Sequence, residues 1–435
     1  MIFVSKLNII FSIQMEHQEP KLDLSVLINK VYRDVLKNLN TEDLLNFRST
    51  STELKEIVKK YISKYRPTFL RLNCTVSSSK LNPRIEINPP LEAIKGVGMS
   101  GMKIKLNILF DLVNMTSFRD NIQILEQIIE SLPHAQTIYI SFSRPEYYSK
   151  ETSWLEGTWF NKTASALIKL QELSSLSLSG DAPWEHILKI LPYLTTLRKL
   201  RVTDNQNLQS VQLLESLSQM KDLTSLSIRS TRGVQETGLP GIGLTNCLPH
   251  MPHLHYLSIS HVTINGLACE ELGKRLERAL PNVSELKLEN VYIENGEYEE
   301  VYYLLPHIRN LLSNLTSLNL STNGMLNDLI VLSLTGDISN LKSLNISNNS
   351  IGEYDEHIGA HPIIPLLESL TNLEELNISG NRIYANCIME LIPTLQRLPL
   401  RKLDVSYNYL GEETIEYIRR SLPYVELDET GCHIR

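Results

Sequence analysis

Residues 373–381 read Leu-Glu-Glu-Leu-Asn-Ile-Ser-Gly-Asn, and this stretch decides the fold. It places aliphatic side chains at its first, fourth and sixth positions and an asparagine at its ninth. The same aliphatic positions return in nine copies between residues 173 and 405, and all 27 of them hold Leu, Ile or Val. Aliphatic residues that alternate with polar ones predict a short strand with one buried face. A strand that returns at regular intervals predicts a solenoid of stacked coils.

The ninth position of each copy predicts how its strand ends. The residues there are, in chain order, Asp181, Asn205, Thr231, Val262, Val291, Asn323, Asn349, Asn381 and Asn408. An asparagine amide at this point can bond the backbone groups of neighbouring coils, which burial would otherwise leave unpaired. Val262 and Val291 offer no such amide, so the turns of those two copies need other partners.

The copies begin 24 to 32 residues apart, which leaves room for a helix between successive strands. The pattern resembles the leucine-rich repeat, and its length resembles the ribonuclease-inhibitor type of that repeat. This resemblance implies an α/β solenoid shaped as a horseshoe, with parallel strands on the concave face and helices on the convex face. A degenerate copy at Ala135 and a half-copy at Val425 bracket the array.

Residues 22–62 predict three short helices rich in leucine, the second of which starts at Thr41 as an N-cap. The segment resembles an F-box in the register of its aliphatic residues, although Leu27-Ile28 replace the expected Leu-Pro and Leu54 replaces a Trp. The resemblance implies docking on a Skp-family adaptor and, through it, on a cullin. The residues expected to carry this contact are Leu27, Ile28, Val35, Leu36, Leu39, Leu44 and Leu45.

An F-box followed by leucine-rich repeats is a known domain order. It implies the substrate-recognition adaptor of a Skp–cullin–F-box type ubiquitin ligase. Such a protein is not an enzyme, because the solenoid only holds a protein substrate while other subunits transfer ubiquitin. The alternative is a leucine-rich-repeat scaffold, inhibitor or bacterial effector whose N-terminal helices merely cap the solenoid.

The sequence predicts four parts. We expect a flexible tail at residues 1–20, the F-box-like module at residues 21–65, a connecting or capping segment at residues 66–130 and the repeat domain at residues 131–435. The third part contains segments that alternate like strands and are candidates for irregular first coils of the solenoid.

Composition narrows the classes of partner and compartment. The chain has 435 residues and a net charge of −7, so it has no global attraction to nucleic acid or to an anionic membrane. Its five cysteines are scattered, which favours a reducing compartment: the cytoplasm, the nucleus, or the host cytosol for a bacterial effector. No stretch is long and apolar enough to predict a membrane helix.

The variable strand positions face the concave surface and are the expected contacts for a partner. They are polar and mostly small, with positive charge in the second and third copies that suits an acidic or phosphorylated segment. A merely solvated face is the alternative interpretation. The candidate partner-binding residues are Arg198, Lys199, Arg201, Arg229, Tyr256 and Lys287.

No motif indicates a cofactor or a catalytic centre. Cys247, His250, His253 and His255 lie close together in the sequence, but two prolines interrupt the group and His255 begins a repeat strand. Structural zinc is usually held by two separated pairs of ligands, so we predict no metal here. We find no convergent acid, base and nucleophile in the sequence.

Overall fold

The structure is a computed structural model. It describes residues 70–77, 86–88, 91, 94–95, 104–111, 125–143, 158–180, 185–203, 211–230, 238–294, 298–323, 338–352 and 363–432. The chain divides into two compact units, Met1–Leu70 with Ser100–Lys103, and Arg71–Met99 with Ile104–Arg435. The predicted F-box-like module lies outside the described residues, and the description below concerns the second unit.

A single sheet of sixteen strands runs through the described part of this unit. The order is β16-β15-β14-β13-β12-β10-β9-β7-β6-β5-β4-β3-β1-β2, with β8 paired to β9 and β11 paired to β10. The strands are β1 (Leu70–Ser77), β2 (Glu86–Asn88), β3 (Ile104–Asp111), β4 (Ala135–Ser143), β5 (Ser175–Ser179), β6 (Lys199–Thr203), β7 (Ser225–Arg229), β8 (Gly238–Pro240), β9 (Tyr256–Asn265), β10 (Glu285–Glu294), β11 (Tyr298–Glu300), β12 (Ser317–Asn319), β13 (Ser343–Asn345), β14 (Glu375–Asn377), β15 (Lys402–Asp404) and β16 (Glu426–Asp428).

The repeat strands are parallel and in register. The middle leucine of each copy pairs with the middle leucine of the next, from Leu176 against Leu200 to Leu403 against Leu427. The degenerate copy and the closing half-copy join the same register, since Ile138 pairs with Leu176 and β16 pairs with β15. The predicted fold class, an open α/β solenoid of leucine-rich repeats with parallel strands, is therefore confirmed.

Helices follow most of the strands and complete the coils. They are α1 (Thr158–Ile168), α2 (Glu185–Ile190), α3 (Val211–Leu217), α4 (Gly241–Cys247), α5 (Cys269–Ala279), α6 (Arg309–Ser313), α7 (Ile363–Ser369), α8 (Ala385–Leu395) and α9 (Gly411–Ser421), with 3-10 turns at Leu191–Tyr193, Leu248–His250 and Val301–His307. In α5, Leu272 and Leu276 lie one turn apart and are both buried. Glu270 lies in the first turn and Arg278 in the last, where the helix dipole favours a negative and a positive charge, respectively. The core lies between such helical faces and the inward leucines of the strands.

Most of the described repeats leave the strand through one left-handed residue, two positions after the third aliphatic. Glycine occupies this position in two copies, as Gly180 and Gly380. In five others a residue with a side chain adopts the same conformation, with φ between 50° and 62°; these are His261, Asn290, Thr322, Asn348 and Tyr407. The turn thus has one geometry along the array, although the sequence at this position is not conserved between copies.

The asparagines that end the later copies bond the backbone as their position predicted. The asparagine ladder consists of Asn323, Asn349, Asn381 and Asn408, all buried. Asn381 shows the pattern: its amide donates to the carbonyls of Ile346 (3.1 Å) and Ile378 (2.9 Å), and its Oδ1 accepts from the Asn349 N–H (3.2 Å). Each ladder residue therefore joins its own turn to the preceding coil.

In the copies that end in Val262 and Val291, a longer strand pairs the backbone groups that asparagine pairs in the later copies. Strands β9 and β10 continue beyond the left-handed residue, and Val291 pairs with Val262 in the parallel register. The Val291 N–H also donates to Oδ1 of Asn323 in the following copy (3.0 Å). Valine is tolerated at these two positions because the sheet and the next asparagine bond the backbone there.

Candidate functional site

The concave face of the sheet is built from the side chains that alternate with the buried leucines. Strands β5, β6, β7, β9 and β10 each contribute three such positions: one before the middle leucine, one after it and one after the third aliphatic. The three-residue strands β12 to β16 contribute only the first two. On β6 these are Lys199, Arg201 and Thr203, and their neighbours follow from the register. The face is therefore a grid in which two rows cross all the described repeat strands and a third row crosses only the longer ones.

The five neighbouring strands β4, β5, β6, β7 and β9 carry positive charge and no negative charge at these positions. The fifteen residues are Thr137, Tyr139, Ser141, Ser175, Ser177, Ser179, Lys199, Arg201, Thr203, Ser225, Ser227, Arg229, Tyr256, Ser258 and Ser260. Three of the fifteen are basic, and the remainder are hydroxyl-bearing residues. We call Lys199, Arg201 and Arg229 the basic patch.

The basic patch is accessible and its charges are not neutralised within the described structure. Lys199 and Arg201 are exposed, and Arg229 is half-buried. Among the described residues, no carboxylate oxygen lies within 4 Å of the charged nitrogens of these three side chains. Arg198, Tyr256 and Lys287 are the other residues predicted for this surface, and their surroundings differ from those of the patch.

Arg198 lies one position before the grid and is held by its own coil. Its guanidinium lies 3.8 Å from the Asp222 carboxylate and donates to the carbonyls of Thr195 (3.0 Å) and Leu197 (3.1 Å). Those bonds fix the side chain against the backbone. Arg198 is therefore less available to a ligand than the residues of the basic patch.

Lys287 and Tyr256 lie on the strands that follow. Lys287 forms an ion pair with Glu289 two residues along β10, and both residues are half-buried. Tyr256 is half-buried on β9, in the row that contains Lys199. Of the six predicted residues, the structure brings Lys199, Arg201, Arg229 and Tyr256 onto one uninterrupted part of the face.

Beyond β10 the second concave position has a structural role. An oxygen of its side chain accepts the backbone N–H of the residue two positions later, at 2.9 Å to 3.1 Å, in five successive copies. We call these the strand-end turns, and their acceptors are Asn319, Asn345, Asn377, Asp404 and Asp428. Sequence reasoning missed this role, although a Ser or Thr always follows two residues after the acceptor.

The charges on these later strands are also paired with one another. Glu374 lies between Arg401 (3.1 Å) and Lys342 (3.8 Å), and Lys402 lies 3.9 Å from Glu426. These pairs join adjacent coils, either on the strands or one residue before them, so the later part of the face neutralises much of its own charge.

The cysteine and histidines near residue 250 do not converge. Cys247 is buried and its thiol donates to the Leu244 carbonyl (3.1 Å), whereas His250, His253 and His255 are exposed. Burial raises the pKa of the Cys247 thiol to about 12, so it stays protonated at neutral pH. Within the described ranges no group of three or more His, Cys, Asp or Glu side chains could hold a metal ion.

A shallow opening at the last coil offers no catalytic chemistry. It is lined by Ile418, Arg419, Leu422, Pro423, Val425 and Leu427. Arg419 is the single charged residue in this lining, and Glu416 and Glu429 already pair with it. The lining contains no acid, base or nucleophile that could act together.

The predicted adaptor-binding residues, Leu27, Ile28, Val35, Leu36, Leu39, Leu44 and Leu45, lie outside the described residues. The part of the chain that the structure describes contains no helix that is both long enough and apolar enough to span a bilayer.

Comparisons with known families match both parts of the chain. The F-box domain family matches residues 24–66, and two leucine-rich-repeat families match residues 340–360 and 369–384. No curated protein matches the sequence. Among solved structures, an internalin from Listeria monocytogenes is similar over 81% of this chain and 85% of its own, with 17% identity and a TM-score of 0.39.

Proposed function

Since this chain is an F-box/leucine-rich-repeat protein, with an F-box domain at its N-terminus followed by leucine-rich repeats, we propose that it is the substrate-recognition adaptor of a Skp–cullin–F-box type ubiquitin ligase. The observation that carries the proposal is the F-box match at residues 24–66 ahead of a long repeat sheet. The F-box would bind a Skp-family adaptor and, through it, a cullin.

In this proposal the protein acts by proximity and performs no chemistry of its own. The repeat sheet holds a protein substrate, which raises the effective concentration of that substrate near the ubiquitin-transferring subunits. The concave face supports this role, because it offers a long row of accessible side chains on a rigid sheet. We place the protein in the cytoplasm or nucleus, in keeping with four described cysteines that are thiols and not disulfides: Cys247, Cys269, Cys387 and Cys432.

The first test is co-purification of the full-length chain with a Skp-family adaptor. We predict that Leu36→Asp lowers adaptor binding by about thirtyfold or more, since it replaces an apolar contact with a buried charge. Asn38→Asp is the matched control, because it adds the same single charge two residues away without removing an apolar side chain. We expect the control to bind within about twofold of the wild type.

Thermal unfolding of the two variants accompanies the binding measurement. The repeat sheet should unfold at the wild-type temperature in both, because residue 36 lies far from the repeats in the sequence. If Leu36→Asp remains folded and still binds the adaptor as the wild type does, the proposed ligase role is wrong. The chain would then be a leucine-rich-repeat scaffold whose N-terminal helices act as a cap.

A further inference from the structure

The basic patch is the part of the concave face whose positive charge has no ion-pair partner among the described residues. Arg198 is held by Asp222, Lys287 by Glu289, and Arg401 by Glu374. Lys199, Arg201 and Arg229 lack such a described partner, and the strands on either side of them contribute only hydroxyl-bearing side chains. Like charges held together on a rigid sheet repel one another, so a bound anion would relieve that repulsion.

The three basic residues stand close enough to bind one group of negative charges. Lys199 and Arg201 are alternate residues of β6, which places their Cα atoms about 7 Å apart on the same face. Arg229 lies on β7, one strand away, where it pairs in register with Thr203. With about 4.8 Å between adjacent strands and about 3.3 Å per residue along them, the Cα atom of Arg229 lies about 8 Å from that of Arg201 and about 14 Å from that of Lys199. The three side chains can therefore bind two neighbouring phosphates or carboxylates, with Arg201 between the other two.

The residues around the patch allow a polypeptide backbone to approach closely. Lys199 is flanked by Ser175 and Ser225. Arg201 is flanked by Ser177 and Ser227, so only short side chains stand beside the two basic residues of β6. Tyr139 on β4 and Tyr256 on β9 stand at the two sides of this low area, and both are half-buried. From β4 to β9 there are four strand-to-strand steps, or about 19 Å, which is the length of about six extended residues.

The remainder of the face disfavours a long polyanion. The strand-end turns close with Asp404 and Asp428, and Glu426 lies in the neighbouring row. A nucleic acid that followed the whole curve would meet these carboxylates after leaving the basic patch. A short acidic segment of a protein matches the patch without reaching the acidic end.

We infer that the basic patch binds an extended segment of the protein substrate that carries two or more closely spaced negative charges. The charges come from phosphorylated side chains or from Asp and Glu, because both present oxygens to the same lysine and arginine groups. This inference rests on the proposed function only in taking the bound protein to be the substrate. The binding chemistry itself is independent of the F-box.

The test uses the full-length protein and fluorescently labelled peptide pools about twelve residues long, in which the central positions are fixed and the flanks are degenerate. One pool has two phosphoserines separated by one residue, a second has two glutamates there and a third has two serines. A single-stranded RNA of the same net charge is the fourth probe. Binding is measured by fluorescence anisotropy at about 50 mM and about 300 mM salt.

The variant is the triple substitution Lys199→Gln, Arg201→Gln and Arg229→Gln. Its matched control removes basic residues of the same concave side at the other end, through Arg401→Gln and Lys402→Gln. We expect the wild type to bind a charged pool about tenfold or more tightly than the serine pool, with affinity that falls as salt rises. The triple variant loses that preference, and the control retains it within about twofold.

The two charged pools identify the source of the charge: preference for phosphoserine over glutamate indicates a phosphorylated substrate, and equal binding indicates acidity alone. Equal binding of all three pools, or an unchanged preference in the triple variant, overturns the inference. Tighter binding of RNA than of either charged pool overturns it as well. Because no Skp-family adaptor is present, Leu36→Asp should bind the peptides normally, which separates this result from the test of the ligase role.

Discussion

The two halves of the repeat sheet use the same concave positions for different purposes. In strands β5, β6 and β7 the position after the middle leucine holds Ser177, Arg201 and Ser227, none of which closes a turn. In strands β12 to β16 that position holds Asn or Asp, and its side chain accepts the backbone N–H that follows. The later half thus uses this row for its own stability, whereas the earlier half leaves the exposed Arg201 available to a ligand.

Strand length follows the same division. Strands β12 to β16 are three residues long, whereas β5 to β7 have five residues and β9 and β10 have ten. In the later half, buried asparagines and strand-end turns supply the hydrogen bonds that longer strands supply in the earlier half. One repeat pattern therefore supports two ways of satisfying the backbone, and they leave different side chains free.

The largest effect should come from removing a residue of the asparagine ladder. Asn381 is buried, donates to three carbonyls and accepts from the N–H groups of Asn349 and Ile351. Asn381→Val leaves these groups without partners inside the coil, so we expect the free energy of unfolding to fall by about 3 to 5 kcal/mol. Chemical denaturation of the full-length protein measures the change.

The reciprocal substitution sharpens this test. Val262 occupies the equivalent position in the earlier half, where the extended strands already pair the backbone. Val262→Asn should therefore also destabilise, by about 1 to 3 kcal/mol, because its amide would be buried without partners. A gain of stability in Val262→Asn would contradict the division of the sheet into two hydrogen-bonding regimes.

The sequence predicted the fold well, because the buried leucines recur at a spacing that only a stacked coil can bury together. Asn381 was likewise recognisable from its place after Leu376 and Ile378. The pairing of surface charge was not predictable, since Arg198 and Lys287 are neutralised by neighbours that depend on side-chain conformation. The repeat spacing predicts that a basic residue lies on the concave face, but it does not predict whether a neighbouring carboxylate forms an ion pair with it.

The strand-end turns show a second limit. Asn377 and Asp404 stand at variable positions of the repeat pattern. A polar residue at such a position could equally contact a ligand or close a turn. In the structure Asp404 accepts from the Ser406 N–H (3.0 Å) and from the Asn377 amide (2.8 Å), which the sequence pattern does not predict. The regular Ser or Thr two residues later was the available signal.

An intermediate effect is expected from Asp404→Ala. The substitution removes the acceptor for the backbone N–H and hydroxyl of Ser406 and for the amide of Asn377, so the free energy of unfolding should fall by about 1 to 2 kcal/mol. Arg201→Ala, at the same position of β6, should change it by less than about 0.5 kcal/mol. Equal losses in the two variants would show that Arg201 also has a framework role.

The smallest effect is a pH dependence at the last strand-end turn. The backbone N–H of Thr430 (3.1 Å) and its hydroxyl (2.9 Å) donate to Asp428 and hold the pKa of that carboxyl below its ordinary value of 3.8. A carboxyl whose folded pKa is lowered stabilises the fold fully above its unfolded pKa and loses this contribution as the pH falls through the folded pKa. The contribution of Asp428 should therefore decline as the pH falls below about 4 and be lost once the pH lies below the lowered folded pKa.

Asp428→Asn isolates this contribution, because asparagine keeps an oxygen that accepts the Thr430 N–H but does not titrate. Thermal unfolding midpoints of the wild type and the variant, measured from about pH 2 to about pH 6, should differ above the ordinary pKa and converge at the acidic end. Subtraction of the two curves cancels the other carboxyls, which titrate in both proteins. A constant difference, or one that widens towards low pH, would show that the Asp428 charge does not stabilise the turn, leaving the later half of the sheet held by hydrogen-bond geometry alone.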